Sequence, residues 1–137
     1  MKYGICQVVI SPGRAEPADQ AEIKMQLVFG DLVYVVEVQN NWTQLKMAKY
    51  NYDCWVDTKH VGLIEEEEFN QIYSQKEIRV KDITSSLINS KNNEITHLIK
   101  GCLLPNFDGF VFGTRENVIS HRFYAINPLR MTHNGIN

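Results

Sequence analysis

The side chains able to do covalent or metal chemistry in this chain are three cysteines, Cys6, Cys54 and Cys102, and four histidines, His60, His97, His121 and His133. A thiol becomes a nucleophile when a base takes its proton and a third group orients that base. Asp53-Cys54 with His60 nearby is the closest approach to this arrangement. The strand pattern around it, and Trp55 directly after it, read instead as an ordinary strand cysteine. No CxxC pair and no His-x-x-x-His pair occurs, so neither a metal site nor a disulfide framework is expected, and no cofactor. Cys102 lies in an apolar stretch and reads as an inert buried thiol. The run Glu65 to Glu68 offers carboxylates to a cation, but a solvated helix start is the commoner use of such a run. Trp42 and Trp55 either line a groove for an extended segment or fill a small core.

These residues must be positioned by short strands. Ile5 to Ile10 is an apolar, β-branched run, and Ser11-Pro12-Gly13 after it reads as a turn. Lys24 to Phe29 is a second strand, ended by Gly30-Asp31. Leu32 to Val38 is a third, and Asn40-Asn41 supplies a turn that tolerates positive φ. Trp42 to Met47 alternates large apolar with polar residues, the period of a half-buried strand. Tyr52 to Asp57 is the next strand, and Thr58 to Val61 a single helical turn. Short strands joined by tight turns in this density predict a small barrel.

From Glu65 the character changes. Acidic residues favour the positive end of a helix, and Phe69, Ile72 and Tyr73 share one helical face. This is read as a linker helix between two lobes. Beyond it, Glu77 to Val80 and Asp82 to Ile88 are weak strands, and Ser90 to Asn93 is a turn. Ile95 to Leu104 alternates loosely, Pro105 to Gly109 is a turn, and Phe110 to Phe112 and Val118 to Ile126 are further strands.

The chain has 137 residues, 44% of them hydrophobic and 22% charged, which is the composition of a globular domain rather than of a disordered tail. Fourteen basic residues against sixteen acidic ones give a net charge of −2, without the basic excess of a dedicated nucleic-acid binder. No run approaches the length of a membrane span, and the N-terminal apolar run reads as a strand rather than a signal peptide. The expectation is a cytoplasmic protein with reduced thiols, no nucleic-acid partner and no membrane.

Several motifs then fall in a recognisable order: Tyr3-Gly4-Ile5-Cys6, Arg14-Ala15-Glu16-Pro17, Gln26-Leu27-Val28-Phe29-Gly30, Trp42 and Trp55-Val56-Asp57. Together they resemble the N-terminal bacterial SH3-like domain of NlpC-type cysteine peptidases, γ-D-glutamyl-L-diamino-acid endopeptidases that cut peptidoglycan stem peptides. Gly101 to Gly109 is similar to a segment of that family's second SH3-like domain. The resemblance runs through about Pro128. It implies a mainly all-β fold: two small SH3-like barrels joined by a short helix. The divisions are 1–64 for the first barrel, 65–76 for the helix, 77–130 for the second barrel and 131–137 for a tail.

The resemblance also implies a site. Glu16 matches the carboxylate that pairs with the free amine of a terminal L-alanine, a charge-assisted contact. Tyr52 matches the tyrosine that walls the same cleft, although Cys54 stands where the family has glycine. Arg14 either steers an acidic ligand group or packs its stem on the barrel and pairs locally. The family's papain-like domain, with its nucleophile in an Asp-Cys-Ser-Gly setting, has no counterpart here. Only Leu129 to Asn137 follow Pro128. The chain is therefore expected to be no enzyme.

Four readings of function follow. The first is a module that recognises a peptidoglycan-derived peptide with a free N-terminal L-alanine. The second is a docking subunit for a separately encoded peptidase domain, with an apolar patch around Phe107, Phe110 and Phe112 as its mark. The third is a general protein-interaction adaptor, and the fourth a remnant without function.

Overall fold

The clearest alternation in the sequence sits at the centre of the fold. In the computed structural model Trp42–Met47 is a strand whose Thr43, Leu45 and Met47 are buried, while Trp42, Gln44 and Lys46 face the other way. The model describes residues 2–80, 84–89, 95–99, 101–105, 111–112, 123–125 and 131–133. Seven strands form the first sheet: β1 (Lys2–Cys6), β2 (Ile10–Arg14), β3 (Ile23–Val28), β4 (Leu32–Gln39), β5 (Trp42–Met47), β6 (Asp53–Asp57) and β7 (Val61–Ile64). Their order is β3-β2-β6-β5-β4-β1-β7, and neighbours run antiparallel. The β4–β5 hairpin turns at Asn40, whose φ of 53° is the left-handed conformation that asparagine tolerates. A 3-10 turn at Thr58–His60 links β6 to β7, and the Lys59 N–H donates to the Asp57 carboxylate at 2.9 Å as its cap.

Two local expectations are corrected. The run Ile5 to Ile10 is not one strand: β1 ends at Cys6 and β2 begins at Ile10. Ser11-Pro12-Gly13 is not a turn but the middle of β2. The reason is tertiary. Pro12 pairs with Gln26 on one side, while β6 meets β2 only at Arg14–Trp55, so the missing proline N–H removes no rung there. Ser11 is fully buried and its hydroxyl lies 2.9 Å from His60 Nδ1.

The sheet does not close into a barrel. β3 and β7 are its two edges, and among the described strands β3 is bonded only to β2. Single backbone bonds, rather than a ladder, tie the Phe29–Asp31 turn to the β1–β2 connection: Cys6 N–H to the Asp31 carbonyl at 2.8 Å and Gly30 N–H to the Cys6 carbonyl at 2.9 Å.

The helix α1 (Glu66–Ser74) follows β7, with Glu66, Glu67 and Glu68 in its first turn. It packs against the first sheet. Phe69 is 2% exposed, and its ring lies 4.7 Å from Tyr3 and 5.1 Å from Tyr34, centroid to centroid. Ile72 is buried beside it. Tyr73, expected on the same face, is mostly outside and stacks on Phe69 at 6.0 Å.

After α1 come β8 (Ile78–Val80), β9 (Thr84–Asn89), β10 (Ile95–Ile99), β11 (Val111–Phe112), β12 (Phe123–Ala125) and β13 (Met131–His133). Four of these make a sheet in the order β10-β9-β12-β11, and β13 pairs with β8. Met131–His133, in the stretch assigned to a tail, is thus a strand opposite Ile78–Val80. The fold is mainly β, built as antiparallel sheets with one α-helix among the described residues. The turn at Ser90 to Asn93 and most of Val118 to Ile126 lie outside the described residues, as do Phe107 and Phe110.

Two apolar clusters hold these parts. One lies inside the first sheet and contains Leu27, Val33, Leu45 and Val56. The other joins Ile5, Phe29 and Leu32 to Phe69 and Ile72 of α1 and to Val80, Cys102 and Leu104. This second core runs without a break across residues 64 and 77. Burying such side chains contributes roughly 1.5–3 kcal/mol each. The helix and the 78–80 and 101–105 segments therefore pack against the first sheet.

Candidate functional site

Register brings the expected site residues to one end of the first sheet. Arg14, the last residue of β2, is paired with Trp55 of β6. The strands are antiparallel, so chain leaving Arg14 toward Glu16 runs alongside the Asp53 end of β6, directly after Tyr52. Glu16 is exposed, and its carboxylate makes no hydrogen bond or ion pair with another described residue. Its backbone carbonyl accepts from Ala18 N at 2.8 Å, which tightens the loop. Tyr52 is 61% exposed, with its N–H on the Tyr50 carbonyl. Arg14 is half-buried and donates to the Ala21 carbonyl at 2.9 Å. With Ala15 N–H on the Glu22 carbonyl, this closes the base of the loop that carries Glu16. Arg14 thus does the local work of clamping that loop.

Trp42 and Trp55 are half-buried on the face opposite Thr43, Leu45, Cys54 and Val56. Trp55 pairs with Gln44 and Trp42 with Asp57, which makes the two indoles diagonal neighbours on the outer face. Neither belongs to an apolar core cluster.

The thiols are inert by position. Cys6, Cys54 and Cys102 are buried and unbridged. Burial pushes the Cys6 thiol up to about 12 and the Cys54 thiol up to about 11. His60, the base suggested by sequence proximity to Cys54, is engaged with Ser11 instead. Among the described residues no group of three or more His, Cys, Asp or Glu side chains is arranged to hold a metal ion. No described helix is long and apolar enough to cross a membrane.

A second concave site was not visible in the sequence. A cleft of about 460 Å³, partly open to solvent, lies between the Gly30–Leu32 turn, Met47 to Tyr50, the end of α1 and Leu103 to Pro105. Arg14, Glu16 and Tyr52 do not line it. In its wall Glu77 takes two cations, Lys49 Nζ at 3.3 Å and Arg79 Nη2 at 3.0 Å. Burial pushes the Glu77 carboxyl up, but these two cations outweigh it and leave it below its ordinary value. Asp31 is 7% exposed and accepts from Val28 N at 2.8 Å. Burial lifts its carboxyl to about 6 against the partial opposition of that amide and of Arg79. The members come from positions 31, 49, 77 and 79, so no local motif announces them. The sequence signal is the Glu77-x-Arg79 spacing: Arg79 lies in β8 and Glu77 directly before it, and the two side chains pair.

No protein-family model and no curated protein matches the chain. Solved structures do. An NlpC/P60 family protein from Bacillus cereus matches with a TM-score of 0.69 at 12% identity, over 96% of this chain and 56% of that one. A novel NlpC/P60 endopeptidase from Photobacterium damselae subsp. piscicida matches with a TM-score of 0.66 at 16% identity, over 96% of this chain and 33% of that one. The fold is that of a segment of NlpC/P60 proteins. The chain spans about half the length of the first NlpC/P60 neighbour and a third of the second. At these identities the likeness is one of fold.

Proposed function

We propose that this chain is a non-catalytic recognition module, a pair of SH3-like units that bind a peptidoglycan stem peptide by its free N-terminal L-alanine. The observation that carries the reading is the state of Glu16. Its carboxylate is exposed, without a described ion-pair partner, on a loop clamped by Arg14 and delivered to the Tyr52 end of β6. An ammonium placed there gains charge-assisted hydrogen bonds that the folded chain does not already use. The fold shared with NlpC/P60 proteins over 96% of the chain supports the peptide as ligand. The buried thiols, both raised well above neutral pH where a value is given, support the absence of peptidase chemistry from this chain's own cysteines. Recycling of cell-wall peptides in the cytoplasm suits this role.

A second reading is favoured by the extent of the fold match. Both neighbours continue well beyond the shared segment. On this reading the module presents the peptide's amino end to a peptidase domain that it docks against.

The test is an NMR titration of the labelled chain with L-alanyl-γ-D-glutamyl-diaminopimelate, alongside its N-acetyl derivative and a Glu16→Gln chain. The expected result is a set of shifts at Glu16 and Tyr52 that both controls lose. No shift at about millimolar peptide, a free energy near −4 kcal/mol, would remove stand-alone recognition. Equal shifts with the acetylated peptide would instead indicate a general peptide adaptor.

A further inference from the structure

The cleft beside the Gly30–Leu32 turn has a polarity of its own, independent of the proposed stem-peptide site. Its walls are largely apolar, from Leu32, Met47, Ile72, Ile78 and Leu104. Within them lies one buried carboxylate, Asp31. The cations around it are committed elsewhere. Lys49 is paired with Glu77 and lies over the Tyr73 ring, its Nζ 5.2 Å from the centroid. Arg79 bonds Glu77 and the Gly101 carbonyl. Both act on Asp31 through space, but neither forms an ion pair with it. Lys76, the remaining cation of the lining, is exposed, where water screens its charge.

A buried carboxylate with one amide donor and no counter-ion among the described residues is costly to hold ionised. A ligand that brings its own cation removes that cost. A concave, mostly apolar surface with a few convergent polar groups is also the usual form of a small-molecule site. A ligand anion meets the opposite situation, since it would have to approach Asp31 and Glu77 with only the screened Lys76 unpaired.

We propose that this cleft binds a small ligand carrying a primary ammonium on an apolar body. Asp31 receives the ammonium, and Leu32, Met47, Ile72, Ile78 and Leu104 enclose the body.

The experiment uses the full chain, isotope-labelled, titrated with hexylammonium chloride, hexanol and sodium hexanoate at about pH 7.5, where a carboxyl lifted even two units is ionised. Hexylammonium is expected to shift the amides of Gly30, Asp31, Glu77 and Leu103 at concentrations about tenfold lower than hexanol does. Asp31→Asn keeps an oxygen for the Val28 N–H and is expected to erase that preference while hexanol binding persists. A readout on the unmutated chain guards against a misfolded variant. Hexylammonium binding should weaken as the pH falls below about 6 and Asp31 takes up its proton, whereas hexanol binding should not. The groups acting on Asp31 in that range are Arg79, Lys49 and Glu77, and Glu77 stays ionised because its carboxyl is held low. Equal binding of all three probes, a preference for hexanoate, or no shift of these amides at about 20 mM would overturn the proposal; that concentration reaches interactions as weak as roughly −2 kcal/mol.

Discussion

Gly30 and Leu103 meet so closely that a Cβ on Gly30 would stand 2.6 Å from the Leu103 Cβ and 2.7 Å from its carbonyl oxygen. The contact is reinforced by the Leu103 N–H, which donates to the Phe29 carbonyl at 2.8 Å. Gly30 also has a φ of +92°, a conformation that L side chains rarely adopt. The turn between β3 and β4 is thus the seat on which the 101–105 segment rests, and the cleft opens beside it.

Gly30→Ala is therefore expected to cost more than backbone strain alone. Strain at such a φ is about 1–2 kcal/mol, and displacing Leu103 adds to it. Urea unfolding of the variant should show a loss of at least about 2 kcal/mol. A loss under about 0.5 kcal/mol, the scale of an ordinary surface change, would mean that Leu103 does not rest on this turn.

What the sequence shows of this fold is what neighbouring residues decide. Trp42 to Met47 and the Asn40 turn are legible because alternation and turn chemistry are local. The helix is legible in its extent, but its packing into a core shared with Val80 and Cys102 is not, since that depends on residues far along the chain. β2 is misread for a related reason: Pro12-Gly13 has the local composition of a turn, and only its distant partners, β3 in register and Cys54 against Gly13, make it a strand. Glu16 and Tyr52 stand out by resemblance, yet their shared end of the sheet follows from the Arg14–Trp55 register. Asp31 and Glu77 have no such signal.

Gly13 gives a second test of that tertiary explanation. A Cβ there would lie 2.5 Å from Cys54 Sγ. Gly13→Ala should destabilise by about 1–3 kcal/mol, the usual range for overpacking. Cys54→Ala removes the obstructing sulfur, so the double variant should recover about 1 kcal/mol relative to additivity. Strict additivity in the cycle would show that the glycine is needed for some other reason.

The three buried thiols predict silence toward thiol reagents. With Cys6 near 12 and Cys54 near 11, the thiolate fraction at neutral pH is negligible, and Cys102 is fully buried. Labelling by a disulfide reagent should be at least about 100-fold slower in the native chain than in denaturant. One fast-reacting cysteine in the native state would contradict the burial and reopen nucleophilic chemistry for that residue.

Asp31 sets the sign of a pH dependence. Its carboxyl titrates near 6 in the folded chain, against 3.8 for the ordinary group. Between those values the folded state holds a proton that the unfolded chain has released, so stability falls as the pH rises. The Asp31 contribution is fully present below about 3.8 and is lost by the time the pH passes about 6. Glu77 acts in the opposite sense in acid, because its lowered carboxyl loses stability as the pH falls. The comparison must therefore be wild type against Asp31→Asn at each pH. A difference of roughly 2–3 kcal/mol should develop across this interval, with Asn gaining on Asp as the pH rises. Urea unfolding at about pH 4, 5, 6 and 7 measures it. A difference that stays flat, or that favours aspartate at neutral pH, would mean that the carboxylate already has the compensation this structure denies it, and the cleft would then have no unmet charge to offer a ligand.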